Sequence, residues 1–103
     1  MPTPYENNRV LLTGSVQGDI EYSHSLYGEA FYTMMVAVPR LSGTEDVLPV
    51  TFSERLLLDP ESIKWKYIEV NGQLRSYNKQ VGEANRLVIT VFARKLNDAD
   101  GCE

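Results

Sequence analysis

The residues best suited to chemistry lie close together. From Arg75 to Lys79 the run RSYNK places two cations, an aromatic ring and an amide within five residues. A cation neutralises a phosphate, and a ring or planar guanidinium offers a face on which a base stacks, so the cluster suits the binding of a flexible polyanion. Covalent chemistry finds no comparable support. The single histidine, His24, stands in the polar run Tyr22-Ser23-His24-Ser25 without a second His or Cys at ligand spacing, and reads as a solvated or turn-capping residue. The one cysteine, Cys102, has no intrachain partner for a disulfide or a thiolate metal site, which fits a reducing, cytoplasmic setting. No nucleophile elbow, paired-carboxylate spacing or phosphate-cradling glycine loop occurs. The expectation is a binding protein, not an enzyme, with no cofactor and no metal.

The elements that must position the cluster are strands. Ile68, Val70, Gly72 and Leu74 alternate with Glu69, Asn71, Gln73 and Arg75, the period of a strand with one wet face. Gly72, at its centre, marks a bend or a close backbone approach. A first strand runs over Arg9 to Gly18, where Val10, Leu12, Gly14 and Val16 alternate with Leu11, Thr13 and Ser15. Asp19 to Gly28 has no sustained period and reads as a long connection or an irregular hairpin arm; Tyr22 and Tyr27 there either reach a ligand or pack the loop down. Glu29 to Arg40 is a second strand, with Tyr32, Met34, Val36 and Val38 as its apolar set and Phe31, Thr33, Met35 and Ala37 on a half-wet face.

A turn around Gly43 leads to a third strand, Val47 to Ser53, in which Pro49 implies an edge or a bulge. Ser53 caps a short helix over Glu54 to Leu58, Asp59-Pro60 makes a turn or second cap, and Leu56, Leu57 and Leu58 plug one barrel end. The fourth strand with its lead-in covers Ile63 to Asn78, a Gly82 loop covers Lys79 to Asn85, and the fifth strand covers Arg86 to Leu96. In the last, Leu87, Ile89, Val91 and Ala93 alternate against Val88, Thr90, Phe92 and Arg94. Five strands, one short helix and no crossover long enough for a parallel sheet predict an all-β, five-stranded Greek-key OB-fold barrel with a short helix between strands 3 and 4. A small β-sandwich is the alternative.

The chain of 103 residues suffices for one domain: a loose leader over 1–7, the barrel over 8–96 and a frayed acidic tail over 97–103. No apolar run approaches the roughly 20 residues of a membrane helix, and no signal peptide is apparent. The net charge is −4, yet its distribution matters more than its sum. Between Arg9 and Leu96 ten acids balance ten bases, and from Glu69 to Leu96 five bases face two acids. The cationic side of the molecule is therefore expected around the fourth and fifth strands.

At this point the residues resemble a family. Asn8 to Gly14 (NRVLLTG), Met34 to Arg40 (MMVAVPR), Asp46 to Phe52 and above all Ile68 to Asn78 (IEVNGQLRSYN) are similar to the strands of bacterial single-stranded DNA-binding proteins, in a short form lacking the long acidic tail. The resemblance implies a cytoplasmic protein that coats single-stranded DNA in replication, repair and recombination. It also implies a homodimer or homotetramer, with replication or repair proteins as further partners. Two positions depart from the family pattern, since Asp46 and Lys79 stand near places where familiar members stack bases on tryptophan.

The nucleic-acid-binding candidates are Arg9, Arg40, Arg75 and Lys79, with Arg55 and Arg86 behind them, and Tyr77 as the first stacking ring. The resemblance adds Phe52 as a stacking ring, whereas hydrophobicity alone groups it with Leu48 and Val50 as buried; both readings stay open. Trp65, between Lys64 and Lys66, reads as a barrel-end plug or subunit contact before a ligand surface. The alternative function, favoured by the neutral body, is a primosomal-type OB adaptor that mainly binds protein partners.

Overall fold

Alternating apolar side chains decide which way each strand faces. Val16, Met34, Val36, Val50, Phe52, Ile68, Val70, Val91 and Ala93 form one buried cluster drawn from all five strands. The computed structural model describes residues 8–56 and 63–98. Its strands are β1 (Val10–Leu26), β2 (Glu29–Pro39), β3 (Glu45–Ser53), β4 (Tyr67–Val81) and β5 (Ala84–Asp98). They close into a barrel in the order β1-β2-β3-β5-β4, with β4 returning to β1. Every pairing is antiparallel except β3 with β5, which meet in parallel at Val50↔Val91 and Thr51↔Phe92. This is the five-stranded Greek-key barrel of the oligonucleotide/oligosaccharide-binding (OB) type.

A 3-10 turn, Glu54–Leu56, stands where the sequence predicts a short helix between β3 and β4. Ser53 caps it as expected, its Oγ accepting from the Arg55 N–H at 3.1 Å. Leu56 packs against the core cluster. The leader 1–7, the remainder of the predicted plug and turn (Leu57, Leu58, Asp59-Pro60), and residues 99–103 with Cys102 lie outside the described residues.

Two of the glycines inside strands, Gly14 and Gly72, sit at close backbone approaches. A Cβ on Gly14 would stand 2.3 Å from the Ala37 carbonyl oxygen, and one on Gly72 would stand 2.2 Å from that of Phe92. Pro49 lies within the β2–β3 ladder opposite Met35 without a bulge. Its carbonyl accepts from Thr90 Oγ1 on β5 at 3.0 Å. In a strand the N–H and C=O of one residue point the same way, so the missing donor of Pro49 also faces β5 and costs β2 no hydrogen bond.

The strands are longer than their hydrophobic runs. Asp19 to Leu26 is the irregular hairpin arm and not a connection: it continues β1 along β2, with register shifts between Gln17 and Glu21 and between Tyr22 and His24. Its turn is Tyr27-Gly28, both at positive φ (52° and 80°), as a two-residue type I′ turn demands. Lys79 to Asn85 is likewise no loop, since β4 and β5 stay paired to Val81↔Ala84 around the two-residue turn Gly82-Glu83. β5 also runs two residues past Leu96, with Asn97 and Asp98 opposite Glu69 and Ile68. Both hairpins extend beyond the last buried residue of their strands, giving two solvated arms.

Candidate nucleic-acid interface

The outward phase of the sheet is set by the same register that fixes the core. Opposite the inward Met34, Val50 and Val91, the residues Phe31, Thr33, Pro49, Thr51, Thr90 and Phe92 face away from the barrel centre. On the arms that phase continues through His24 on β1 and through Arg75, Tyr77, Lys79, Arg86 and Val88 on β4 and β5. Of these, Thr33, Pro49, Thr51, Val88, Thr90 and Phe92 line a cleft of about 480 Å³ between the two arms, walled by His24 on one side and by Arg75 and Tyr77 on the other.

Two stacked pairs define its chemistry. The His24 imidazole lies over Phe31, ring centroids 4.9 Å apart and planes within 12°. The Arg75 guanidinium lies over Phe92 at 4.0 Å from the ring centroid. Phe31 and Phe92 touch each other at 5.8 Å, joining the pairs into one row across β1, β2, β5 and β4. With its amide oxygen turned toward the guanidinium, Gln73 accepts from Arg75 Nη2 and Nε at 2.8 and 2.9 Å. A guanidinium held flat from below and from its edge keeps its outer face open for a further π system.

The floor is made of threonines. Thr51 Oγ1 lies 3.5 Å from Thr33 Oγ1 and 3.3 Å from Thr90 Oγ1, which itself donates to the Pro49 carbonyl. These hydroxyls satisfy one another across the short β3–β5 seam. They stabilise the place where the barrel closes and are committed to that role.

The eight sequence candidates separate clearly. Arg75, Tyr77, Lys79 and Arg86 share one face of the β4–β5 arm, where Lys79 sits opposite Arg86 and Tyr77, 53% exposed, opposite Val88. Arg55 is exposed beside Glu29, Nε to Oε2 at 3.6 Å, and Glu29 also accepts from Ser53 Oγ. Arg40 lies at the β2–β3 turn, seven residues along β2 from Thr33 and so about 20 Å from the cleft. There it grips Asp46 with two charge-assisted hydrogen bonds, Nε to Oδ2 at 2.8 Å and Nη2 to Oδ1 at 2.5 Å. Those bonds hold the Asp46 carboxyl below the ordinary aspartate range and raise the Arg40 guanidinium above its own. Arg40 is a turn clasp. Arg9 lines a separate polar cleft across the β1–β4 seam.

Phe52 requires a correction. It is 0% exposed and packs in the core against Tyr32, ring centroids 5.9 Å apart, so no face is open to a base. Pro49 causes no bulge and the phase of β3 does not flip, so the hydrophobic reading holds for Val50 and Phe52, both fully buried, while Leu48 on the same phase is only half-buried. Trp65 is not a plug either: it is 62% exposed at φ 68° in a turn where the Lys66 N–H donates to the Ile63 carbonyl at 3.0 Å. Conversely, His24 and Phe92 line the cleft and Phe31 lies buried beneath His24, and none of the three is among the sequence candidates. The signal for the phenylalanines was present in their strands, since both stand on the phase opposite the apolar set. His24 carried none, because its arm has no period.

No protein-family model matches the chain, and no curated protein matches it. Among solved structures it is similar to the N-terminal domain of the PriB protein from Thermoanaerobacter tencongensis, described as dimeric. The two share 44% sequence identity and superpose with a TM-score of 0.77, over 90% of this chain and 97% of that one. A barrel of this topology with identity at that level and coverage leaves one conclusion: the chain belongs to the family of the PriB N-terminal domain, within the bacterial single-stranded DNA-binding protein family that its strands resemble.

Proposed function

We propose that the cleft between the arms binds single-stranded DNA without choosing a sequence, as a homodimer in the bacterial cytoplasm, where replication and its restart expose unpaired strands. The observation that carries the reading is the row His24, Phe31, Phe92, Arg75. Its upper surface is a pair of flat faces, and each base stacked on such a face contributes about 1–3 kcal/mol whatever its identity. Lys79 and Arg86 extend positive charge from that row along the arm for phosphates. The threonine floor spends its hydroxyls internally, which leaves little for reading base edges and suits indifference to sequence. The dimeric state of the PriB domain supports self-association here.

Anisotropy titrations with oligo-dT and with duplex DNA at several salt concentrations test the reading. Log affinity for the single strand should fall linearly with log salt, at about −0.7 per phosphate neutralised, and the duplex should bind more weakly. The adaptor reading rests on a different face: Leu74, Leu87 and Ile89 are exposed on the inward phase of the arm, an apolar strip suited to a protein. A salt-independent response, or equal affinity for duplex, would favour it.

A further inference from the structure

Arg9, Arg94 and Lys95 converge on a polar cleft of about 540 Å³ on the far side of Gly72, lined otherwise by Asn8, Asn71 and Gln73. The fold brings them together by three separate devices. Ala93 and Leu96 both point inward, yet they are three residues apart, because β5 carries an extra residue where Asn71↔Lys95 gives way to Gly72↔Ala93. This bulge puts Arg94 and Lys95 side by side on the outer face instead of on opposite faces. Asn8 then acts as a false rung of the ladder: its Nδ2 donates to the Leu74 carbonyl at 2.7 Å and its Oδ1 accepts from the Leu74 N–H at 2.9 Å. That clasp holds the start of β1 against β4, with Arg9 next to Gln73. The missing side chain at Gly72 keeps the bulged strand close.

Among the described residues none of the three cations makes an ion pair. Glu69, the acid two residues along the same face of β4, accepts from Asn97 Nδ2 at 3.4 Å and does not line the cleft. Gln73 belongs to this cleft and also holds Arg75, which walls the stacking cleft, so the two sites adjoin without an intervening acid. Three like charges held together against their mutual repulsion are stabilised by an anion.

We propose that this cleft is a second phosphate-binding site, which takes the backbone of the same DNA strand after it leaves the stacking cleft across Arg75 and Gln73. The inference rests on the binding function proposed above. It requires that DNA long enough to cross both sites meet more cations than a short piece meets.

The test is the variant Arg94→Gln with Lys95→Gln, which preserves the outward phase of both side chains and so the bulge. Oligo-dT from about 4 to about 16 nucleotides, the span that one barrel of this type covers, is titrated at several salt concentrations. For the longest oligomer the salt slope should fall in magnitude by about 1.4, about 0.7 for each charge removed, equivalent to about 25-fold in affinity over a tenfold change in salt. The slope of the unaltered protein should keep growing with length after that of the variant has levelled. Equal slopes at every length overturn the inference, as does an unchanged slope accompanied by a smaller sedimenting species, which would assign the cluster to a subunit contact. Absence of salt-dependent binding by the unaltered protein sinks the proposed function instead.

Discussion

Replacing Arg75 by lysine separates its charge from its shape. The guanidinium lies flat over Phe92 at 4.0 Å from the ring centroid and is fixed along its edge by Gln73 at 2.8 and 2.9 Å, so its outer face is presented before any ligand arrives. Lysine keeps the positive charge but offers a compact ammonium with no planar face. Loss of one stacking contact of about 1–2 kcal/mol weakens binding roughly 5- to 30-fold. The charge count is unchanged, so the slope of log affinity against log salt should not move. Arg75→Ala should lose the same stacking term and flatten the slope by about 0.7 as well. The assay is fluorescence anisotropy with a dT oligomer over a salt series, with far-UV circular dichroism to show that the barrel persists. Arg75→Lys binding as tightly as the unaltered protein would refute the reasoning, because the residue would then act only as a point charge.

Three further outcomes follow from the fold. Tyr27 is 98% exposed at φ 52° in a two-residue turn, so Tyr27→Asn removes a left-handed strain and loses almost no packing; thermal unfolding should show a gain of about 1 kcal/mol, roughly 4–8 °C in Tm. Gly72→Ala places a Cβ 2.2 Å from the Phe92 carbonyl oxygen, a clash with backbone that should cost about 1–3 kcal/mol in urea unfolding. Asp46 is depressed below the ordinary aspartate value chiefly by its hydrogen bonds from Arg40, so the pair stabilises the turn above the unfolded pKa of about 3.9 and the contribution vanishes as pH falls through the folded value. An NMR titration should show the Asp46 carboxyl moving up toward the ordinary value in Arg40→Gln.

The barrel was legible because its signals are local. Alternation gave the inward phase of every strand, and Gly14 and Gly72 mark backbone approaches that admit no Cβ. The arms were not legible, because a hairpin that leaves the core buries neither face and so keeps no hydrophobic period; Asp19 to Leu26 and Lys79 to Val81 look like loops for that reason. The site was half legible. Arg75, Tyr77, Lys79 and Arg86 announce themselves by type, and alternation along one hairpin puts them on one face. His24 and Phe31 join them only through the register of β1 on β2, which two irregularities displace. The role of Arg40 depended on a pairing with Asp46 across the Gly43 turn. Phe52 shows the opposite case, in which the hydrophobic pattern was a better guide than the likeness to a family.

The most direct test of a grip on the outer face is residue-by-residue mapping of amide shifts while a short dT oligomer is added to isotopically labelled protein. The account predicts movements concentrated at His24, Phe31, Thr51, Tyr77, Thr90 and Phe92, with the Arg40–Asp46 turn silent. Movements confined to the apolar strip of Leu74, Leu87 and Ile89, or to the turn at Arg40, with the row over Phe31 and Phe92 unmoved, would contradict it.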